Sequence, residues 1–254
     1  MEKHTVLIGS IAPLLLSPLV VVMTGESNFY ALSLVPLLVV VWLLTRLSKD
    51  EMGIQLGNLR AYAIAFFYPV MVMGVTGLIC WMSDSIQASH ISVVAVCEQV
   101  IVLFLLSFII GLATEEGFFR GWLWGALERC AYNPLLVVVW TSGVFSLWHF
   151  AVPFIVPDLE FPLSIVPVYL VNCFLIGIIW GLLRLTSGSI AVTSLSHAVW
   201  NALTYTLYGY GSETGVLDIS FYQIFDPERG VLGLLLNFIF VVILWQWHTK
   251  KVQS

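Results

Sequence analysis

Long stretches of this chain carry no charge at all. Residues 6–23, 29–45, 61–82 and 161–183 contain no Asp, Glu, Lys or Arg. Each is close to or beyond the ~20 apolar residues that a helix needs to cross a hydrocarbon core. Inside lipid every backbone polar group must be satisfied by the protein itself, which leaves only helices and closed barrels. Continuous Leu, Val and Ile runs, in place of period-two alternation, exclude the barrel. Charged residues make up 10% of the chain and hydrophobic ones 59%, where a soluble domain is about a quarter charged. The predicted fold class is therefore all-α, a polytopic membrane bundle of about eight transmembrane helices.

The expected spans are 6–23, 29–47, 61–82, 93–127, 134–152, 163–185, 189–208 and 231–247. The fourth is too long for one straight crossing, so it is expected to begin with a surface turn around Glu98 or to bend near Gly111. Basic residues give the map a direction. Lys3, Arg46, Lys49, Arg60, Arg120, Arg129, Arg184, Lys250 and Lys251 fall on one side, and only Arg229 on the other. That other side carries Glu26, Asp84, Asp158, Glu160, Glu213, Asp218, Asp226 and Glu228. The positive-inside rule then places both termini in the cytoplasm, in a multi-pass protein of the cell (inner) membrane. The apolar N-terminal run, with no small-x-small cleavage site after it, reads as a retained helix and not a signal peptide. Loops are short, with larger ones at 153–162 and 209–230, and 1–254 reads as a single membrane domain. The net charge of −5 and the lack of a basic run indicate no nucleic-acid partner. Cys80, Cys97, Cys130 and Cys173 are far apart and read as lipid-buried thiols. The ten tryptophans are expected to anchor helix ends at the interfaces.

Ionisable groups inside a span cost several kcal/mol each, so they need a reason. The fourth span holds Glu115, Glu116 and Arg120, the fifth His149, and the seventh His197 with Asn201 four residues on. Glu116 and Arg120, spaced i, i+4, are predicted to pair. Glu115 lies about 100° round an α-helix from Glu116, on the face of Phe118, Phe119 and Trp122, and is left without a local partner. In the seventh span Thr193, Ser194, His197, Asn201, Thr204, Tyr205 and Tyr208 form a stripe expected to face a polar cavity. At about 1.5 Å rise per residue, Glu115, His149, His197 and Asn201 lie roughly 20, 24, 15 and 21 Å from the basic ends of their helices. They share a similar depth, expected to be reached from the cytoplasmic side. Taken singly, each has a bland reading: a buried His as an interhelical hydrogen-bonding group, the hydroxyl stripe as helix-packing glue.

Three motifs in order change the weighting. E-E-x-x-x-R at Glu115–Arg120, F-x-x-x-H at Phe145–His149 and H-x-x-x-N at His197–Asn201 resemble the CPBP family of intramembrane proteases. Its best-known members are the CAAX prenyl endopeptidases of the Rce1 type. The likeness covers about residues 107–205, the expected catalytic core, and includes the flanks E-E-G-F-F-R-G-W-L, F-S-L-W-H and S-H-A-V-W-N. The resemblance implies that Glu115 activates a water, that His149 helps hold it, and that His197 and Asn201 bind the oxyanion. It makes Glu116, Arg120 and Phe145 structural or orienting. A dry site disfavours a charged carboxylate, which suits a base working near neutral pH.

Other protease signatures are missing: there is no H-E-x-x-H, no G-x-G-D and no G-x-S-x-G. A zinc ion held by Glu115, His149 and His197 is chemically allowed, but the preferred reading is metal-free, with no cofactor. The expected function is an intramembrane endopeptidase that cleaves a membrane-associated peptide or protein tail. Buried Glu, His and Arg also suit a proton-coupled transporter, and a non-catalytic immunity or scaffold member of the family is the third reading.

Overall fold

In the computed structural model, residues 3–88, 92–155, 162–210 and 213–253 are described. Asp158, Glu160 and most of the expected 153–162 loop lie outside them. The elements are α1 (Lys3–Thr24), α2 (Phe29–Leu32), α3 (Leu34–Thr45), α4 (Leu59–Met82), α5 (Val93–Ala113), a π-helical segment (Glu116–Leu123) and α6 (Trp124–Arg129). They continue with α7 (Pro134–His149), α8 (Val152–Ile155), α9 (Val166–Ser187), α10 (Ile190–Leu207), β1 (Gly209–Tyr210), β2 (Glu213–Thr214), α11 (Tyr222–Phe225) and α12 (Val231–Gln253). The two strands form a small antiparallel hairpin with Gly209 opposite Thr214 and Tyr210 opposite Glu213.

The chain is an all-α multi-pass membrane bundle. Among the described residues, six helices are long and apolar enough to cross a membrane, and Phe29–Thr45 forms a shorter apolar helix. α10 is not one of the six, because its Thr, Ser, His and Asn residues lower its hydropathy. These eight elements occupy the spans read from the sequence. Their starts follow local chemistry. Asn58, Ser92, Asn133 and Ser189 accept hydrogen bonds from the first-turn amides of α4, α5, α7 and α10. Gly188, in the left-handed region at φ 71°, ends α9 and lets Ser189 start α10 at once.

α10 runs through the middle of the bundle. It packs on α4, α5, α9 and the π-helical segment, while α7 and α12 pack on α9. α5 is covered mainly by α10 and the π-helical segment. Its Ile101, Val102, Leu105, Leu106, Ile109 and Ile110 are exposed, as expected of a surface that lipid solvates.

Tryptophan departs from expectation. Trp122, Trp124, Trp148, Trp180 and Trp200 are buried in the protein core, where their rings meet neither lipid nor water. Polar partners seat most of them, although Trp124 Nε1 has no partner among the described residues. Indole N–H groups of Trp122, Trp148 and Trp180 donate to hydroxyls of Thr45, Ser17 and Ser196 at 3.0, 2.9 and 3.2 Å. A buried indole is tolerated when its N–H finds an acceptor. Hydroxyls of α1, α3 and α10 thus serve to seat aromatic rings.

A second buried polar network joins α4, α9 and α12. Tyr68 donates to Asn237 Oδ1 at 2.6 Å, and Asn237 Nδ2 donates to Asn172 Oδ1 at 2.8 Å. Asn172 Nδ2 in turn donates to the carbonyls of Pro227 and Glu228 at 2.7 and 2.9 Å. Removing the central member strands two buried polar groups. Asn237→Leu is expected to cost about 1–2 kcal/mol and to lower the thermal unfolding midpoint in detergent micelles by several degrees. An unchanged midpoint would show that the network contributes nothing to stability.

Candidate active site

The site begins with a break in a helix. The sequence predicts a bend near Gly111 or a turn at Glu98, yet α5 runs unbroken through both and stops at Ala113. Thr114 leaves helical geometry at φ −114°, ψ −96°, and the chain resumes as a π-helix over Glu116–Leu123. Gly117 allows this: a Cβ there would stand 2.6 Å from the carbonyl oxygen of Leu112, five residues back. A π-helical turn is wider than an α-turn, so the 100° spacing used to place Glu115 does not hold here. Phe118, Phe119 and Trp122 are buried in the core, while Glu115 faces a cavity that none of them lines.

Glu115 Oε2 lies 3.9 Å from His149 Nε2 and 4.0 Å from His197 Nε2. It is buried and has no hydrogen-bond partner among the described residues. Both imidazoles are held from behind. His149 Nδ1 donates to the carbonyl of Phe145, one turn back, at 2.9 Å, and the Phe145 ring lies 4.3 Å from the imidazole. A carbonyl can only accept, so neutral His149 presents an unprotonated Nε2 to Glu115. His197 Nδ1 lies 3.1 Å from Glu116 Oε1, and its ring stacks on Trp180 at 4.2 Å and 20°.

Glu116 therefore holds more than its helical neighbour. It accepts from Arg120 at 3.4 Å as expected, and also fixes His197, which the sequence spacing did not reveal. Glu116 and Arg120 are fully buried. The guanidinium lies over Phe145 at 4.3 Å and Trp180 at 5.3 Å and donates to the carbonyl of Gly177. The polar stripe of α10 splits. His197, Asn201 and Tyr205 line the cavity. Thr193 bonds Ile190 of its own helix and stands beside Glu116, whereas Thr204 and Tyr208 bond Met73 of α4. Part of the stripe is packing and part belongs to the site.

The cavity measures about 450 Å³. Its wall runs from Glu115, His149, His197 and Asn201 to Ser27 and Asn28 before α2, and to Tyr210 and Glu228 in the loops after α10. These loops belong to the acidic side of the charge map. Among the described residues none of the basic loops lines the cavity, so the expected approach from the basic side is corrected: the space extends toward the acidic side. Glu228 was missed as a site residue, because an acidic residue in a loop carries no motif. Its carboxylate accepts from Trp200 Nε1 at 2.8 Å, and burial, with Asp226 nearby, pushes it up to about 7.

A shared metal would need a tighter cluster. Two ligands at about 2.1 Å on a tetrahedral ion stand roughly 3.4 Å apart, whereas Glu115 Oε2 lies 3.9 and 4.0 Å from the two nitrogens. Among the described residues no group of three or more His, Cys, Asp and Glu side chains is placed to hold a metal ion.

Residues 97–203 match the family model described as type II CAAX prenyl endopeptidase Rce1-like. The match includes all three motifs and the break at Thr114. No curated protein matches the chain.

The two neighbouring glutamates are expected to respond differently to the same change. Glu116→Gln leaves Arg120 buried and uncompensated, a loss of about 3–5 kcal/mol. Glu115→Gln removes no fixed hydrogen bond of Oε2 and should stay within about 1 kcal/mol of the parent. Thermal unfolding of both variants in micelles decides this, and equal losses would contradict the division of roles.

Proposed function

Given an Rce1-like domain over residues 97–203, we propose that the protein is an intramembrane endopeptidase of the glutamate type. The observation that carries the reading is the convergence of Glu115 Oε2 with Nε2 of His149 and of His197, inside a bundle whose long helices are apolar enough to cross a membrane. A water between these groups donates one hydrogen to Glu115 and the other to the unprotonated Nε2 of His149. Glu115 takes the first proton as the water oxygen attacks the scissile carbonyl, and a tetrahedral intermediate forms. The oxyanion receives hydrogen bonds from the Asn201 amide and from His197, whose Nδ1–H is held by Glu116 and whose protonated Nε2 points into the cavity. Fixed donors of this kind supply a few kcal/mol of transition-state stabilisation. The C–N bond then breaks, and Glu115 returns its proton to the leaving amine. No step requires a cofactor; zinc on Glu115, His149 and His197 is the competing version.

The substrate in this reading is a membrane-associated peptide or protein tail that enters the cavity in extended form. The protein lies in the cell membrane with both termini cytoplasmic. The cavity then faces the opposite, acidic side, so the substrate is presented from there.

Proteoliposomes provide the test, with peptide cleavage followed by mass spectrometry. Glu115→Gln should lower the rate at least 100-fold while the protein still inserts and folds. His149→Ala should lower it by a similar factor. Cleavage by Glu115→Gln at the parental rate would end the proposal. Loss of parental activity on adding a chelator, restored by zinc, would replace the metal-free version.

A further inference from the structure

Glu228 is the cavity's second carboxylate, and the proteolytic chemistry does not use it. The turn that carries it is fixed without help from its side chain. Asp226 Oδ1 accepts the backbone N–H groups of Glu228 and Arg229, each at 2.8 Å. Asn172 of α9 donates to the carbonyls of Pro227 and Glu228. The neighbouring cation is already engaged, since Arg229 grips Asp226 Oδ2 at 2.6 and 3.0 Å. The Glu228 carboxylate is therefore not needed to build the loop, and its one hydrogen bond among the described residues is from Trp200.

The surroundings suit one kind of ligand group. Among the described residues no Lys or Arg lines the cavity, whereas Tyr169, Trp200, Tyr205 and Tyr210 do. The rings of Tyr205 and Tyr210 stand 4.6 Å apart. Aromatic faces beside a carboxylate attract an ammonium or guanidinium and give an anion no partner. Burial, with Asp226 nearby, also accounts for the raised proton affinity of Glu228.

Position relates this corner to the reacting centre. His197, Trp200 and Asn201 are spaced i, i+3, i+4, so they share a face within about one turn, ~5 Å, of α10. An extended peptide advances about 3.3 Å per residue. We infer that Glu228 and the aromatic wall beside it form a subsite for a cationic group of the substrate, a Lys or Arg side chain or a free N-terminal ammonium, within about two residues of the scissile bond. The subsite's use rests on the proteolytic reading; its ability to bind a cation does not.

Two measurements test this separately. In nanodiscs, hexylammonium should raise the thermal midpoint of the parent protein and of Glu115→Gln, and hexanoate should not. Glu228→Gln, which keeps an acceptor for Trp200, should weaken the hexylammonium effect at least tenfold. Equal stabilisation of parent and Glu228→Gln would overturn the proposal. In proteoliposomes, a degenerate peptide mixture should yield products with Lys or Arg within two residues of the cut. Acetylating free N-termini separates the side-chain source from the terminal one. In Glu228→Gln the ratio of kcat/KM for a Lys peptide to that for its norleucine counterpart should fall at least tenfold. Parental cleavage indifferent to cationic residues and free N-termini would overturn the proposal even if the variant fails to fold. Cation binding that depends on Glu228, with no cleavage of any peptide, would support the subsite and defeat the proteolytic reading.

Discussion

The Glu116 carboxylate, fully buried between Arg120 and His197, is the interaction on which the rest of the site depends. An isolated charge at this depth would cost several kcal/mol. Here one carboxylate offsets the guanidinium and fixes an imidazole with the same oxygen. Arg120 then reaches the Gly177 carbonyl of α9 and the rings of Phe145 and Trp180. Through this one group the π-helical segment, α7, α9 and α10 acquire a common geometry. The orientation of His197 follows from it, with Nδ1 committed to Glu116 and Nε2 left for the cavity.

The helix break gives the arrangement its direction. Neighbouring residues on a helix point to different sides. Glu116 thus turns into the protein while Glu115 turns toward the cavity. An unbroken α5 would carry its own geometry past Thr114, and the two carboxylates would be placed by α-helical spacing. The π-helical turns carry Phe118, Phe119 and Trp122 into the core and release Glu115 from their face. Gly117 is the sequence requirement for that turn, since a side chain there would meet the Leu112 carbonyl. Burying an unpaired carboxylate against three aromatic rings would be costly, and the π-turn avoids it.

Much of this architecture is legible in the amino-acid sequence. Long uncharged runs mark where lipid is the solvent, and Asn58, Asn133 and the Ser-Gly-Ser turn at residues 187–189 mark helix ends by chemistry that acts locally. The three motifs mark the site because charge inside a membrane is costly enough to be rare. What escaped has a common cause: it depends on which partner lies across from a residue. Tryptophan looks interfacial by composition, and three of the buried indoles meet Ser17, Thr45 and Ser196, which stand opposite them. The α10 stripe looks uniform at helical spacing, yet α4 covers Thr204 and Tyr208 while His197, Asn201 and Tyr205 stay open. Arg120 was visible as a partner of Glu116 because both lie on one segment. His197 was not, because it comes from a distant one. Glu228 enters the cavity from a loop that the network through Asn172 holds in place.

The doublet Glu115–Glu116 can be understood as a division that neither residue could make alone. A membrane-embedded catalytic group must be able to exchange a proton with the reactants, so it cannot be locked into an ion pair. An unpaired buried oxygen is destabilising, however, and a bundle that relied on it would relax to satisfy it. The neighbouring Glu116 removes this freedom. Its bonds to Arg120 and His197 hold the segment in place, and Glu115 Oε2 is kept near two imidazoles at distances too long for direct hydrogen bonds. The fixed bonds belong to one glutamate, and the other is left free for the reactivity proposed above. Adjacency in the chain makes the rigidity of Glu116 available to Glu115.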